Sequence, residues 1–171
     1  MSKVKLLMLD RDGTLNKRIP NGYLLEEKDI LRPPDLDSLV KIIDSNIEIA
    51  IISNQACISK KMISYEEIIK ITKSILRPSI EIDDRSIFIC PHQENENCFC
   101  RKPKPGLILR CLEYFNINKA ESVFIGDSNL DAEAAKIADV RFFGVCWDSK
   151  CQGEMCLHSI SNAVDRILLQ R

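Results

Sequence analysis

Short apolar, β-branched runs alternate with stretches of helical periodicity along the chain. The runs predict strands over Val4–Leu9, Ile47–Ile52, Ile87–Cys90, Val123–Ile125 and Phe142–Val145. The 3.6-residue spacing between and after them predicts helices over Asp35–Ser45, Tyr65–Leu76, Pro105–Phe115, Asn129–Ala138 and Ser159–Leu169, with Asn129 placed to cap the fourth. Arg32-Pro33-Pro34 reads as a loop, because proline disfavours helix at the residue before it. Strand–helix alternation implies an α/β fold of three layers, a doubly wound and mainly parallel sheet with helices on both faces. Ligands of such sheets collect beyond the carboxyl ends of the strands. The polar residues with chemical potential fall there: Asp10 and Asp12 after the first strand, Ser53-Asn54-Gln55 after the second, Gly126-Asp127 after the fourth.

Length and composition narrow the picture without redirecting it. A chain of 171 residues is expected to form a single domain, 1–171, with a real core. The formal net charge of −1 lacks the basic footprint of a nucleic-acid binder, so no nucleic-acid partner is expected. No apolar run reaches transmembrane length, and the first one ends at Asp10, too soon for a signal-peptide core. A cytoplasmic protein is therefore expected, away from membranes. A monomer is expected because no exposed apolar stripe is evident.

Asp10-Arg11-Asp12-Gly13-Thr14-Leu15 is the densest chemical signal. Side chains two apart on a strand share a face, so both acids can point into one small space. Like charges that close repel unless a cation or a shared proton compensates, which favours a metal site. Two acids at one phosphorus centre suggest one nucleophile and one proton carrier.

The second signal is Cys90-Pro91-His92, five residues, then Cys98-Phe99-Cys100. Three thiols and an imidazole make a closed set suited to structural Zn²⁺, with no open position for catalysis. In a reducing compartment clustered cysteines suggest a metal before disulfides. The zinc loop, about 90–102, ends at Arg101-Lys102, and its expected job is to fix those two cations over a phosphate pocket. Cys146, Cys151, Cys156 and His158 are too loosely spaced to be read as a second site.

Taken together, four segments resemble the haloacid dehalogenase superfamily of phosphatases: Asp10-Arg11-Asp12-Gly13-Thr14, Ser53 after an apolar strand, Lys102-Pro103 opening a helix, and Gly126-Asp127-Ser128-Asn129-Leu130-Asp131. The resemblance spans about residues 4–145. It implies a Rossmann-like core, without a separate cap domain because the intervals between motifs are short. It implies Asp10 as nucleophile through an aspartyl-phosphate, and Asp12 as general acid and base. It further implies Mg²⁺ held by Asp10, the Asp12 carbonyl and Asp127, with Ser53 and Lys102 stabilising the phosphoryl oxygens. Asp131 is left open between orienting Lys102, orienting metal-bound water and capping a helix.

Cys90-Pro91-His92…Cys98-Phe99-Cys100-Arg101-Lys102-Pro103-Lys104-Pro105-Gly106 narrows the resemblance to the small capless phosphatases of heptose 1,7-bisphosphate and histidinol phosphate. That group implies substrate contacts from Arg11, Asn21, Gly22, Tyr23, Asn54, Gln55, Ala56 and Arg101, the last on a distal phosphate. It implies hydrolysis of a phosphorylated sugar, with heptose 1,7-bisphosphate as first choice at its 7-phosphate. Histidinol phosphate is the alternative, and a zinc-stabilised binding module without turnover a further one. A DNA 3′-phosphatase is disfavoured by the near-neutral charge. The group usually continues Asn-Gln-Ser-Gly-Ile-Ala-Arg-Gly where this chain has Asn54-Gln55-Ala56-Cys57-Ile58-Ser59-Lys60-Lys61. The metal loop is also shorter than usual. These departures lie around the substrate rim and bear on specificity, not on phosphate chemistry.

Overall fold

The computed structural model describes residues 3–145 and 157–169. Among these residues five strands form one all-parallel sheet: β1 Leu6–Leu9, β2 Glu48–Asn54, β3 Ile87–Cys90, β4 Ser122–Gly126 and β5 Arg141–Gly144. Their spatial order is β3-β2-β1-β4-β5, so β1 lies between β2 and β4 where the winding direction reverses. That switch point opens a crevice at the carboxyl end of β1.

The helices are α1 Val40–Ile43, α2 Tyr65–Leu76, α3 Gly106–Phe115, α4 Asn129–Ala138 and α5 Ile160–Leu168. A strand covered on both faces reads as a continuous apolar run, and β1 does: all four of its residues are buried. Alternation then sorts them. Leu7 and Leu9 join Ile42, Ile68 and Val164 of α1, α2 and α5 in one core. Leu6 and Met8 join Ile108 and Ala135 of α3 and α4 in the other. The two cores make three layers. Among the described residues the segments between strands are single helices, short 3₁₀ turns and loops, with no separate cap.

The predicted elements all appear, with one reduced. Instead of a helix over Asp35–Ser45, a 3₁₀ turn at Leu36–Leu39 runs into the single turn of α1. Asp35 does not cap this segment; its carboxylate accepts from the Ser161 backbone N–H at 2.6 Å, tying the segment to α5. The cap of α4 is Ser128, one residue earlier than expected, in a capping box with Asp131. Ser64 and Glu67 form the same box at α2.

Candidate active site

The crevice is built from strand ends. Asp10 follows β1 and keeps the sheet's register, its N–H donating to Ile125 O at 2.9 Å. The chain then turns sharply: Leu15 and Asn16 N–H both donate to Arg11 O, at 2.9 and 3.0 Å. Gly13 makes this possible. Its φ is +105°, and a Cβ there would collide with the Asp127 carboxylate. Gly126, at the end of β4, lets the first turn of α4 close in, since a Cβ would come within 2.6 Å of Asp131. Two close backbone approaches thus bring Asp127 and Asp131 to Asp10. Carboxylate oxygens of the three lie within 4.8 Å of one another.

Lys102 enters this cluster from the opposite wall. Its Nζ is 2.5 Å from Asp10, 2.6 Å from Asp131 and 2.9 Å from Ile52 O. Asn54 clamps its backbone in both directions, accepting from Lys102 N at 3.0 Å and donating to Lys102 O at 3.1 Å. Burial alone would push the ammonium pKa down, but Asp10 and Asp131 outweigh it and raise it. Burial pushes the Asp10 carboxyl up to about 8; Lys102 opposes this, while Asp131 and Asp127 add to it. Burial likewise raises Asp127, against the pull of Arg18.

Around the cluster opens a cavity of about 170 Å³. Of the residues expected at the site, Asp10, Asp12, Ser53 and Lys102 line it together with Gly22, Tyr23, Asn54 and Arg101. Arg101 also donates to His92 O at 3.2 Å, which joins the cavity wall to the cysteine loop. Arg11, Gln55, Ala56 and Asn21 do not line it. Arg11 is fully buried, because it lies between two acids that face the crevice and alternation turns it inward. Its Nη2 donates to Asp12 at 2.9 Å and to Gln55 Oε1 at 3.0 Å. Gln55 donates in turn to Asp12 at 2.6 Å and to Ser53 Oγ at 2.8 Å. These two residues brace Asp12 and Ser53 from behind, a place the expectation of substrate contacts did not include. Ala56 is buried and Asn21 is an exposed turn residue with φ +54°.

Sequence reasoning missed Arg18. Its Nη2 donates to both oxygens of Asp127, at 3.0 and 3.1 Å, and it lines the cavity. Asp131 takes two of its three open roles, pairing with Lys102 and accepting from Ser128 N at 3.1 Å.

The donor set of the acid cluster is all oxygen and nearly dry. Its three carboxylates outnumber the two cations, Lys102 and Arg18, that meet them. That chemistry fits a hard divalent cation such as Mg²⁺.

The cysteine loop leaves the end of β3. Cys100 Sγ lies 3.3 Å from Cys90 Sγ, 3.4 Å from Cys98 Sγ and 3.2 Å from His92 Nδ1. Cys90 Sγ is 3.6 Å from both Cys98 Sγ and His92 Nδ1. Tetrahedral Zn²⁺ with Zn–S of about 2.3 Å asks for sulfur–sulfur edges of roughly 3.7 Å, so the four donors fit that ion nearly as they stand. Cys146, Cys151 and Cys156 lie outside the described residues.

Comparison with known proteins places this geometry. The haloacid dehalogenase-like hydrolase family matches residues 34–145. The D-glycero-alpha-D-manno-heptose-1,7-bisphosphate 7-phosphatase of Photorhabdus laumondii is 32% identical over 148 residues, covering 81% of this chain and 80% of that protein. A histidine biosynthesis bifunctional protein of Campylobacter jejuni is 33% identical over 146 residues, covering 80% of this chain but 40% of that longer protein. Among solved structures, the D,D-heptose 1,7-bisphosphate phosphatase of B. bronchiseptica, complexed with magnesium and phosphate, superimposes with a TM-score of 0.84 at 20% identity, covering 98% of this chain and all of that one. With its paired acids at the switch point, its buried lysine and these relatives, the chain belongs to the haloacid dehalogenase-like hydrolases.

Proposed function

We propose that the protein is a Mg²⁺-dependent phosphatase that hydrolyses a phosphorylated sugar, D-glycero-D-manno-heptose 1,7-bisphosphate at its 7-phosphate, through an aspartyl-phosphate. The observation that carries this reading is the position of Asp10, which lines an open cavity together with Asp12, Ser53 and Lys102. An Asp10 oxygen attacks phosphorus and the ester P–O bond breaks, Asp12 passing its proton to the leaving oxygen. Water then attacks the same phosphorus, Asp12 takes its proton, and inorganic phosphate leaves with Asp10 restored. Lys102 and Ser53 hold the phosphoryl oxygens; Arg11 and Gln55 set the direction of Asp12. Asp10, Asp127 and the Asp12 carbonyl would hold Mg²⁺, which supplies charge neutralisation and keeps Asp10 ionised in a place where burial alone favours its acid form.

Cys90, His92, Cys98 and Cys100 would hold a structural Zn²⁺. Thiols kept free for metal suit a reducing, cytoplasmic setting. The heptose substrate is supported by the relatives' names and by Arg101, whose guanidinium on the cavity wall suits a distal phosphate. Similarity to the histidine-biosynthesis protein favours histidinol phosphate as the second reading.

Phosphate release from heptose 1,7-bisphosphate, histidinol phosphate and fructose 1,6-bisphosphate, with and without Mg²⁺, tests both. The heptose ester is expected to be fastest by kcat/KM, and Asp10→Asn to lower its rate at least about a thousandfold. First preference for histidinol phosphate would overturn the substrate; full activity in Asp10→Asn would overturn the mechanism.

A further inference from the structure

We propose that Arg18 is a displaceable counter-cation of the acidic cluster, which must leave Asp127 before a divalent ion can be held there and which then meets the anionic substrate. The inference rests on the divalent-cation reading of the cluster. Both oxygens of Asp127 are occupied by Arg18 Nη2, at 3.0 and 3.1 Å, so one carboxylate faces two claimants. The two cations that meet the acid cluster are held very differently. Lys102 is 4% exposed and fixed by two carboxylates and a carbonyl. The Arg18 side chain is 56% exposed, and Asp127 is its hydrogen-bond partner.

The backbone below Arg18 is anchored while its side chain extends from it. Asn16 Oδ1 accepts from Leu31 N at 2.7 Å, and Lys17 N donates to Leu31 O at 2.8 Å. Arg18 also lines the cavity, so a guanidinium released from Asp127 is already beside the space a substrate fills. Its planar fork suits phosphate oxygens as well as it suits a carboxylate. By linkage, an anion that draws Arg18 off Asp127 strengthens cation binding, and the cation strengthens binding of the anion. Arg18 is thus a positioning residue that couples the two events and keeps the acid cluster compensated between turnovers.

Mn²⁺ binding, followed by electron paramagnetic resonance at low ionic strength without substrate, tests this. Arg18→Gln is expected to bind Mn²⁺ about two- to fivefold more tightly than the wild type, the range for an exposed ion pair. Arg18→Lys should fall between them, and Asp127→Asn should bind far more weakly. Inorganic phosphate should then raise Mn²⁺ affinity more in the wild type than in Arg18→Gln. Equal or weaker Mn²⁺ binding by Arg18→Gln would overturn the role of Arg18 and leave the metal reading intact. No Mn²⁺ binding by either protein would overturn both.

Discussion

Two groups of metal-competent side chains lie at the same end of the sheet, and they are built on opposite plans. The acid cluster of Asp10, Asp127 and Asp131 stands on strand ends and the first turn of α4, where backbone pairing sets every position. Its donors are hard oxygens, its charge is met by Lys102 and Arg18, and a cavity opens beside it. The Cys90, His92, Cys98 and Cys100 cluster stands on a loop, and its four donors close on one another. The open cluster keeps one cation buried, Lys102, and one exposed, Arg18. The closed cluster leaves no donor over for a substrate, the arrangement a structural zinc would need. The loop reaches the acid cluster along one covalent path, Cys100-Arg101-Lys102, and Asn54 fixes the far end of that path.

If the closed cluster serves the open one, damage to it must be felt in catalysis. Cys100→Ser is expected to release zinc, seen by metal analysis, and to lower kcat/KM about a hundredfold through misplacement of Lys102. It should also lower the Tm by about 4–8 °C, as a loss of about 2 kcal/mol would in a chain of this size. Full activity in a zinc-free protein would break the link between the two regions.

Asn54→Ala removes two hydrogen bonds from the Lys102 backbone and leaves the zinc donors alone. Retained zinc with kcat/KM lowered about tenfold is expected. An unchanged rate would show that the cysteine loop alone positions Lys102.

A third effect is one of pH. In the absence of divalent ions the folded Asp10 carboxyl holds its proton to about 8, whereas the unfolded one releases it near 3.8. Between these values the folded chain binds more protons than the unfolded chain, so stability falls as pH rises. The Tm in EDTA should therefore decline from pH 5 to pH 8, less steeply in Asp10→Asn, and Mg²⁺ should raise it more at pH 8 than at pH 5. Parallel declines in the two proteins would remove Asp10 as the cause.

The strands were legible because each is a continuous apolar run bounded by polar turns, and their order along the chain already placed Asp10, Ser53 and Asp127 at one end of a sheet. The cluster of Cys90, His92, Cys98 and Cys100 was legible from its spacing alone. What was not legible came from contacts between residues far apart in sequence. Asp35 looks like the start of a helix until Ser161 is brought to it. Arg18 looks like a solvated charge until β4 delivers Asp127. Arg11 is the instructive case: the alternation that puts Asp10 and Asp12 on one face turns the residue between them to the other, so its burial could have been read from the chain.

The close backbone approaches at Gly13 and Gly126 also say where this enzyme is free to change. Neither position has room for even a methyl group, so the acid cluster tolerates no drift there. Ile19, Gly22, Tyr23 and Leu24 line the cavity from a loop that lies outside the strands. A laboratory seeking a new sugar specificity should randomise Ile19–Leu24 and leave Gly13, Gly126, Asn54 and Gln55 untouched, since preference can be rewritten in that loop without disturbing the chemistry beneath.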